Sequence, residues 1–409
     1  MAYGSVMLSL TDIHDARHRL GDSVKRTPCE RSSSLSEATG ADVFLKLENL
    51  QVTGSFKARG AGNRLLAMSP KDKARGVVCA SAGNHAQGVA FHAQRLGVKA
   101  TIVMPVGTPL IKVTRTQSYE ADVMLFGENY DESYQQAQQL AAEHNYVYVH
   151  AYDDEHVMAG QGTIGVEIAE QLPDVDLVLV PVGGGGLIAG IAVALKAMSS
   201  RVKIIGVQAS VLPSMKRALE QGQPVSLPAA RTLAEGIAVR TAGAKCLPLV
   251  RSFVDDIVTV EDDEIARAIL LLLERDKTVA EGAGAAAVAA ILGKKVLGIE
   301  GQKVCAVLCG GNIDVNVLSR IIERGLVESG RLTRLEVLVP DRPGALAETL
   351  TEVARQRANV VEVHHERAFG RGSLGQVGVQ LVIETRGHEH AGELIAGLGR
   401  LGHAAALLR

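Results

Sequence analysis

An α/β fold with a mostly parallel sheet, followed by a small α+β unit, is the architecture this sequence predicts. Two patterns carry that prediction. From about Val43 to Gly311, short runs rich in Val and Ile alternate with stretches of helical length. Such alternation marks βα units around a buried parallel sheet. In the last seventy-odd residues the order changes to βαββαβ, which suits a small sandwich of helices on an antiparallel sheet.

The strand candidates of the first part are Val77–Ala80, Ala100–Met104, Leu177–Val182, Lys203–Val207 and Val304–Leu308. Each precedes turn residues and a helical stretch, as in Ala86–Leu96 and Leu187–Met198. Ligands of such sheets sit where strand gives way to helix, so motifs at those junctions carry most weight. In the tail, Leu335–Val339 reads as a strand and Asp341-Arg-Pro-Gly344 as a turn. A helix over Leu346–Gln356 follows, then strands Val360–His364 and Gln376–Ile383, a helix Glu389–Leu398 and a final apolar run. The polar Glu328-Ser-Gly-Arg331 reads as a join, giving domains 1–325 and 334–409 with a linker 326–333.

A chain of 409 residues holds two or three domains of about 150 residues each. Its 43 basic and 45 acidic side chains leave a net charge of −2, which offers no basic surface to nucleic acid or an anionic membrane. With no Trp and 3% aromatics it has no stacking platform for single strands. Cys29, Cys79, Cys246, Cys305 and Cys309 show neither CxxC nor zinc spacing, so reduced thiols in a cytoplasmic protein are expected. The first twenty residues lack a basic segment followed by an apolar one, so no leader is expected. Apolar runs such as Ala283–Leu292 fall short of the roughly 20 residues of a membrane span. The 43 glycines exceed the ordinary share of about 7%, and their places matter.

Four constellations stand at the junctions. Gly183-Gly-Gly-Gly186-Leu187 links a strand to a helix, where bare N–H groups and the helix dipole make a phosphate seat. No Gly-Lys-Ser/Thr follows, so it is not a P-loop; the acid of a dinucleotide site is missing too, since the next strand ends in Gln208. A glycine turn for close packing is the plain alternative. Thr53-Gly-Ser-Phe56-Lys57-Ala-Arg-Gly60 sets a lysine among small residues, where a depressed pKa suits imine chemistry, although a lone lysine is usually a solvated charge. Ser81-Ala-Gly-Asn84-His85 opens a helix with free donors, a carboxylate seat or an ordinary cap. Cys309-Gly-Gly-Asn312 ends a strand, and Cys309 taken alone reads as a buried structural thiol. Together they suggest a phosphorylated carbonyl cofactor acting on an amino acid, and pyridoxal phosphate meets those demands.

In order and spacing these motifs resemble the fold-type II pyridoxal-phosphate enzymes, and among them the threonine dehydratases (threonine ammonia-lyases) of the serine/threonine dehydratase family. The resemblance covers about Asp12 to Leu326, while Asp341-Arg-Pro-Gly-Ala-Leu346 resembles an ACT regulatory domain. It implies two open α/β lobes, the smaller near residues 50–150. It implies that Lys57 holds the cofactor as a Schiff base and then moves the Cα proton, with Phe56 in support. Asn84 would bond the ring hydroxyl; Gly183, Gly184, Gly185, Gly186 and Leu187 would bind the phosphate. Ser81, Ala82, Gly83, Asn84 and His85 would seat the substrate carboxylate, Cys309 would face the pyridine nitrogen, and Glu281 would support the ring. The implied reaction converts L-threonine, and also L-serine, to the oxoacid and ammonia, in a homodimer or homotetramer with an amino-acid effector at the tail.

Serine racemase and a serine-preferring dehydratase are the rival enzymes. Racemases of this family carry Ser where this chain has Ala82, and an acid where it has Gln208, with Ser214 where another acid would sit. Hence no second base and no metal are expected. An inactive amino-acid sensor is the alternative from another class.

Overall fold

The computed structural model describes residues 8–366 and 373–408; the reading of the N-terminus as leaderless rests partly on residues 1–7, outside the described residues. Its strands are β1 (Cys29–Arg31), β2 (Asp42–Leu47), β3 (Val77–Ala80), β4 (Ala100–Met104), β5 (Asp122–Leu125), β6 (Val147–Tyr148), β7 (Leu177–Pro181), β8 (Lys203–Ala209), β9 (Asp256–Val260) and β10 (Lys303–Leu308) in the first unit, Met1–Ile313. They form two sheets, in the orders β1-β2-β10-β7-β8-β9 and β5-β4-β3-β6. Every pairing is parallel except β1 on β2. Parallel strands need crossovers, and the chain supplies helices for them. β3, β4, β7 and almost all of β8 are buried along their length, which is why they read as unbroken apolar runs.

The smaller sheet forms its own lobe over residues 77–148. Its core joins Val77, Cys79, Ile102 and Met104 to Ala86, Val89, Ala90 and Ala93 of the helix Asn84–Leu96. Under the larger sheet, the helix Gly186–Met198 is buried from Gly186 to Leu195. It crosses the helix Glu155–Gln171 so closely that a Cβ on Gly190 would lie 2.3 Å from the Met158 carbonyl oxygen. Part of the glycine excess therefore serves helix packing.

The second unit, Asp314–Arg409, carries β11 (Leu332–Pro340), β12 (Asn359–Glu366), β13 (Gln376–Glu384) and β14 (Ala404–Leu407). The sheet order β12-β13-β11-β14 is antiparallel throughout. Helices Ala345–Arg355 and His388–Arg400 complete βαββαβ. Leu335, Val337 and Val339 alternate inward from β11 and pack with Leu381, Ile383, Leu394 and Leu398. Spacing alone suggested a join at 326–333. In the structure Leu326–Glu328 finish the helix Val315–Glu328, and β11 starts at Leu332, so only Ser329–Arg331 connect them. Gly330 turns the chain there at φ +67°, a conformation glycine adopts without penalty. Among the described residues no helix is long and apolar enough to cross a membrane.

Candidate active site

The segment leading to Lys57 is pinned before the helix begins. Ser55 bridges Gly310, the Phe56 N–H donates to the Cys309 carbonyl at 3.0 Å, and the Gly311 N–H donates to the Gly54 carbonyl at 2.9 Å. Gly54 sits at φ +74°, and a Cβ there would approach Asn312 Oδ1 to 2.5 Å, so a side chain is excluded twice over. Lys57 opens the helix Lys57–Leu66 and donates from Nζ to the Ala151 carbonyl at 2.7 Å. Burial lowers its pKa to about 8; the nearby Cys309, Cys246 and Glu281 oppose that shift but do not cancel it.

Two residues on, Arg59 anchors the same helix in a buried charge cluster. It donates to Glu48 at 2.8 Å and to Glu167 at 2.6 Å, and Lys46 meets the same Glu167 at 2.5 Å. Thr27, Thr163 and Gln171 fill the remaining positions. Burial alone would raise the Glu48 carboxyl, but Arg59 outweighs it and holds the group below its ordinary value. Such a cluster tolerates burial because each charge is paired and bonded.

Ser81 follows β3, and the helix Asn84–Leu96 begins without a side-chain cap, so its first N–H groups have no side-chain partner. Ser81 Oγ accepts from the Gly83 N–H at 3.2 Å. His85 is buried, and its Nε2 lies 2.9 Å from the Val149 carbonyl. A carbonyl only accepts, so Nε2 carries the proton, and burial, lowering the pKa to about 3, keeps the ring neutral. Ala82 packs its methyl against the small-lobe core. Asn84 Nδ2 donates to Glu281 Oε1 at 2.6 Å, and Asn84 Oδ1 accepts from Asn312 Nδ2 at 2.8 Å. Burial raises the Glu281 pKa to about 7, against the lowering effect of the Asn84 bond.

The glycine loop joins β7 to the helix Gly186–Met198, whose N-terminus also lacks a side-chain cap. Protein crowds its outer side. A Cβ on Gly184 would meet the Tyr152 ring at 2.3 Å, one on Gly185 would meet Met215 Cε at 2.4 Å, and one on Gly186 the Tyr152 carbonyl at 2.6 Å. Tyr152 follows Ala151, the lysine's acceptor, so two adjacent residues hold the amine and the glycine loop in one cleft. Cys309, at the end of β10, is buried, and burial raises its thiol pKa well above the ordinary value.

The structure thus brings Asn84, Glu281 and the Cys309 loop into one bonded group that also ties down the segment ahead of Lys57, while Ala151 and Tyr152 link the Lys57 amine to the glycine loop. Gln208 is spent elsewhere: its Nε2 donates to the Val182 carbonyl at 3.3 Å and its Oε1 accepts from the Lys216 N–H at 3.0 Å. Asn312 closes the Cys309-Gly-Gly-Asn312 motif, but nothing in the sequence gives it a part. Ala151 and Tyr152 carried no signal at all, because one acts through its backbone and the other by shape.

A family described as pyridoxal-phosphate dependent enzymes matches residues 20–310. The L-threonine ammonia-lyase of Thermotoga maritima is 50% identical over 388 residues, 95% of this chain and 96% of that protein. The L-threonine ammonia-lyase of Geobacter sulfurreducens is 47% identical over 403 residues, 98% of this chain and 100% of that protein. Among solved structures, the processed form of threonine deaminase isoform 2 from Solanum lycopersicum superposes with a TM-score of 0.73 at 37% identity, covering 77% of this chain and 91% of that one. The family match runs across both sheets of the first unit, and on that extent the chain belongs to the family of pyridoxal-phosphate dependent enzymes, in their fold type II.

Proposed function

We propose that this enzyme deaminates L-threonine, and L-serine as a second substrate, to 2-oxobutanoate or pyruvate and ammonia. The observation that carries the reading is the Lys57 amine, its pKa lowered to about 8 and its Nζ held on Ala151 beside the glycine loop. The cofactor fits the residues present. An uncapped helix start behind side-chain-free glycines suits a phosphate, and a lysine that loses its proton near pH 8 suits a carbonyl carbon.

When bound, pyridoxal phosphate supplies the electron withdrawal that makes the substrate Cα proton removable. Gly183 to Leu187 bind the phosphate through backbone N–H groups, and the donors of Ser81 to His85 bind the substrate carboxylate. Lys57 Nζ, freed in its neutral form, takes the Cα proton. Asn84 Nδ2 donates to the ring hydroxyl, Phe56 packs beside the amine, and Glu281 holds the Asn84 amide. Cys309 presents a neutral thiol toward the pyridine nitrogen, because burial keeps it protonated. When bound, the group would supply only mild electron withdrawal, which suits a substrate whose β-hydroxyl can leave as water, and Lys57 Nζ would return the proton it took from Cα to that hydroxyl. Ala82 has no proton to give on the opposite face, which separates this reading from a racemase.

The test is a purified protein assayed for 2-oxobutanoate. Lys57→Ala should lose about 10³-fold or more of the threonine turnover, the scale of a positioned base. Turnover retained in that variant defeats the mechanism.

The second unit we read as an ACT-like regulatory domain in a cytoplasmic homodimer or homotetramer. Support comes from its βαββαβ order and from a cavity of about 220 Å³ lined by Asp341, Arg342, Gly344, Leu346, His365 and Val377. That space suits a branched-chain amino acid such as isoleucine or valine. A biosynthetic role predicts inhibition by isoleucine, and threonine saturation curves indifferent to either amino acid defeat the regulatory reading.

A further inference from the structure

An unbroken line of hydrogen bonds runs from the surface to the middle of the cleft. Arg115, on the helix Leu110–Gln117, donates from Nη1 to Asn312 Oδ1 at 3.0 Å. Asn312 Nδ2 donates to Asn84 Oδ1 at 2.8 Å and to the Thr53 carbonyl at 2.8 Å. Asn84 Nδ2 then donates to Glu281 Oε1 at 2.6 Å.

The chemistry of these groups fixes which way each amide points. A guanidinium only donates and a backbone carbonyl only accepts. Asn312 must therefore turn its oxygen to Arg115 and its nitrogen to Thr53. That nitrogen captures the Asn84 oxygen, so the Asn84 NH₂ keeps one hydrogen for Glu281 and one free. The free hydrogen is what a ring oxygen needs; a flipped Asn84 would offer that oxygen an acceptor.

The first member of the line sits on the small-lobe side of the cleft. Lys112, three residues before Arg115, reaches Glu235 Oε2 at 2.8 Å. Residues three apart share a helix face, so one face of this helix spans from the small lobe to the loops of the larger sheet. Asp131 and Arg240 make another tie between the same two parts.

We propose that Arg115 and Asn312 are positioning residues: seating of the Leu110–Gln117 helix across the cleft, through Arg115 on Asn312, holds Asn84 with its free N–H toward the cofactor ring. The inference rests on Asn84 being the ring-oxygen ligand of the proposed function. Arg115 and Asn312 act through Asn84.

The experiment compares wild-type holoenzyme with Asn312→Ala, Arg115→Ala, Arg115→Lys and the Asn312→Ala/Arg115→Ala double variant. The readouts are the visible absorption band of the bound cofactor, the cofactor dissociation constant, kcat and KM for L-threonine, and the thermal midpoint. Asn312→Ala should weaken cofactor binding about tenfold and move the visible band, the scale of one part-buried hydrogen bond lost together with the Arg115 contact. Arg115→Ala should weaken it about threefold, being an exposed donor, with kcat falling more than KM rises. Arg115→Lys, which keeps a donor, should recover part of that loss. Because Arg115 acts only through Asn312, the double variant should match Asn312→Ala alone. Asn312→Asp keeps the shape but cannot donate to Asn84, and should reproduce the loss if the alanine variant folds poorly. A purely structural part would lower the thermal midpoint and leave the band unmoved, which overturns the proposal. So would effects of Arg115 and Asn312 that simply multiply. A wild-type protein with no visible band, or with no threonine turnover, would instead remove the underlying functional reading.

Discussion

Lys57 and Glu281 titrate toward each other in this cleft: burial draws the amine down to about 8 and pushes the carboxyl up to about 7. Attack on a carbonyl needs the neutral amine, so the rate at which apoprotein takes up pyridoxal phosphate should rise with pH around a midpoint near 8. Stopped-flow absorbance checks this, and a midpoint near the ordinary 10.5 contradicts the burial argument. The stability consequence has a definite sign. Between about 8 and 10.5 the unfolded chain binds the Lys57 proton that the folded chain has released. Apoprotein stability should therefore rise with pH across that window relative to a Lys57→Met variant. Glu281 works the other way: its folded pKa is raised, so its contribution is present below 4.5 and lost as pH rises to about 7. Denaturant titrations of Glu281→Gln should lack that loss.

At the level of elements, the loops work because the pieces beneath them are rigid. The helix that starts with Lys57 is held two residues later by Arg59 between Glu48 and Glu167. Glu167→Ala leaves Lys46 without its carboxylate and Arg59 with Glu48 alone, and urea unfolding of the apoprotein should show a loss of about 3–5 kcal/mol, the usual cost of leaving a buried charge without its partner. The glycine loop fails differently. Gly184→Ala places a methyl 2.3 Å from the Tyr152 ring, so ring or loop must move. Cofactor affinity measured by titration should fall about tenfold or more, since the N–H groups no longer converge on the phosphate. The motifs of both loops were legible in the sequence, because a glycine run after a strand and a lysine among small residues are local signals. The buried charge cluster was not legible. Lys46, Glu48, Arg59 and Glu167 look like ordinary surface charges until four elements close around them.

The whole molecule divides its work between two units. The family match lies within the first, residues 20–310 against a unit ending at Ile313. A chain ended at Ile313 should keep threonine deamination and lose any response to isoleucine or valine. Saturation curves with and without those amino acids check both halves of the expectation, and an unaltered response places the effector site in the first unit. The order of the tail was visible beforehand because β11 alternates inward and outward residue by residue. The division between the units was not, since it falls at Ile313 and Asp314, ahead of the helix Val315–Glu328, and not at the polar Glu328–Arg331.

By itself the sequence determined the class of sheet and the glycine-rich and lysine-bearing loops. These are features of neighbouring residues, and period, turn chemistry and backbone freedom act over a few positions at a time. Only the tertiary structure decided how the cleft is wired. Asn84 meets Glu281 across 197 residues of chain, Asn312 meets Asn84 across 228, and Arg115 meets Asn312 across 197. The direction of an amide and the pKa of a buried group depend on which partners folding delivers, and no local pattern encodes a partner that distant.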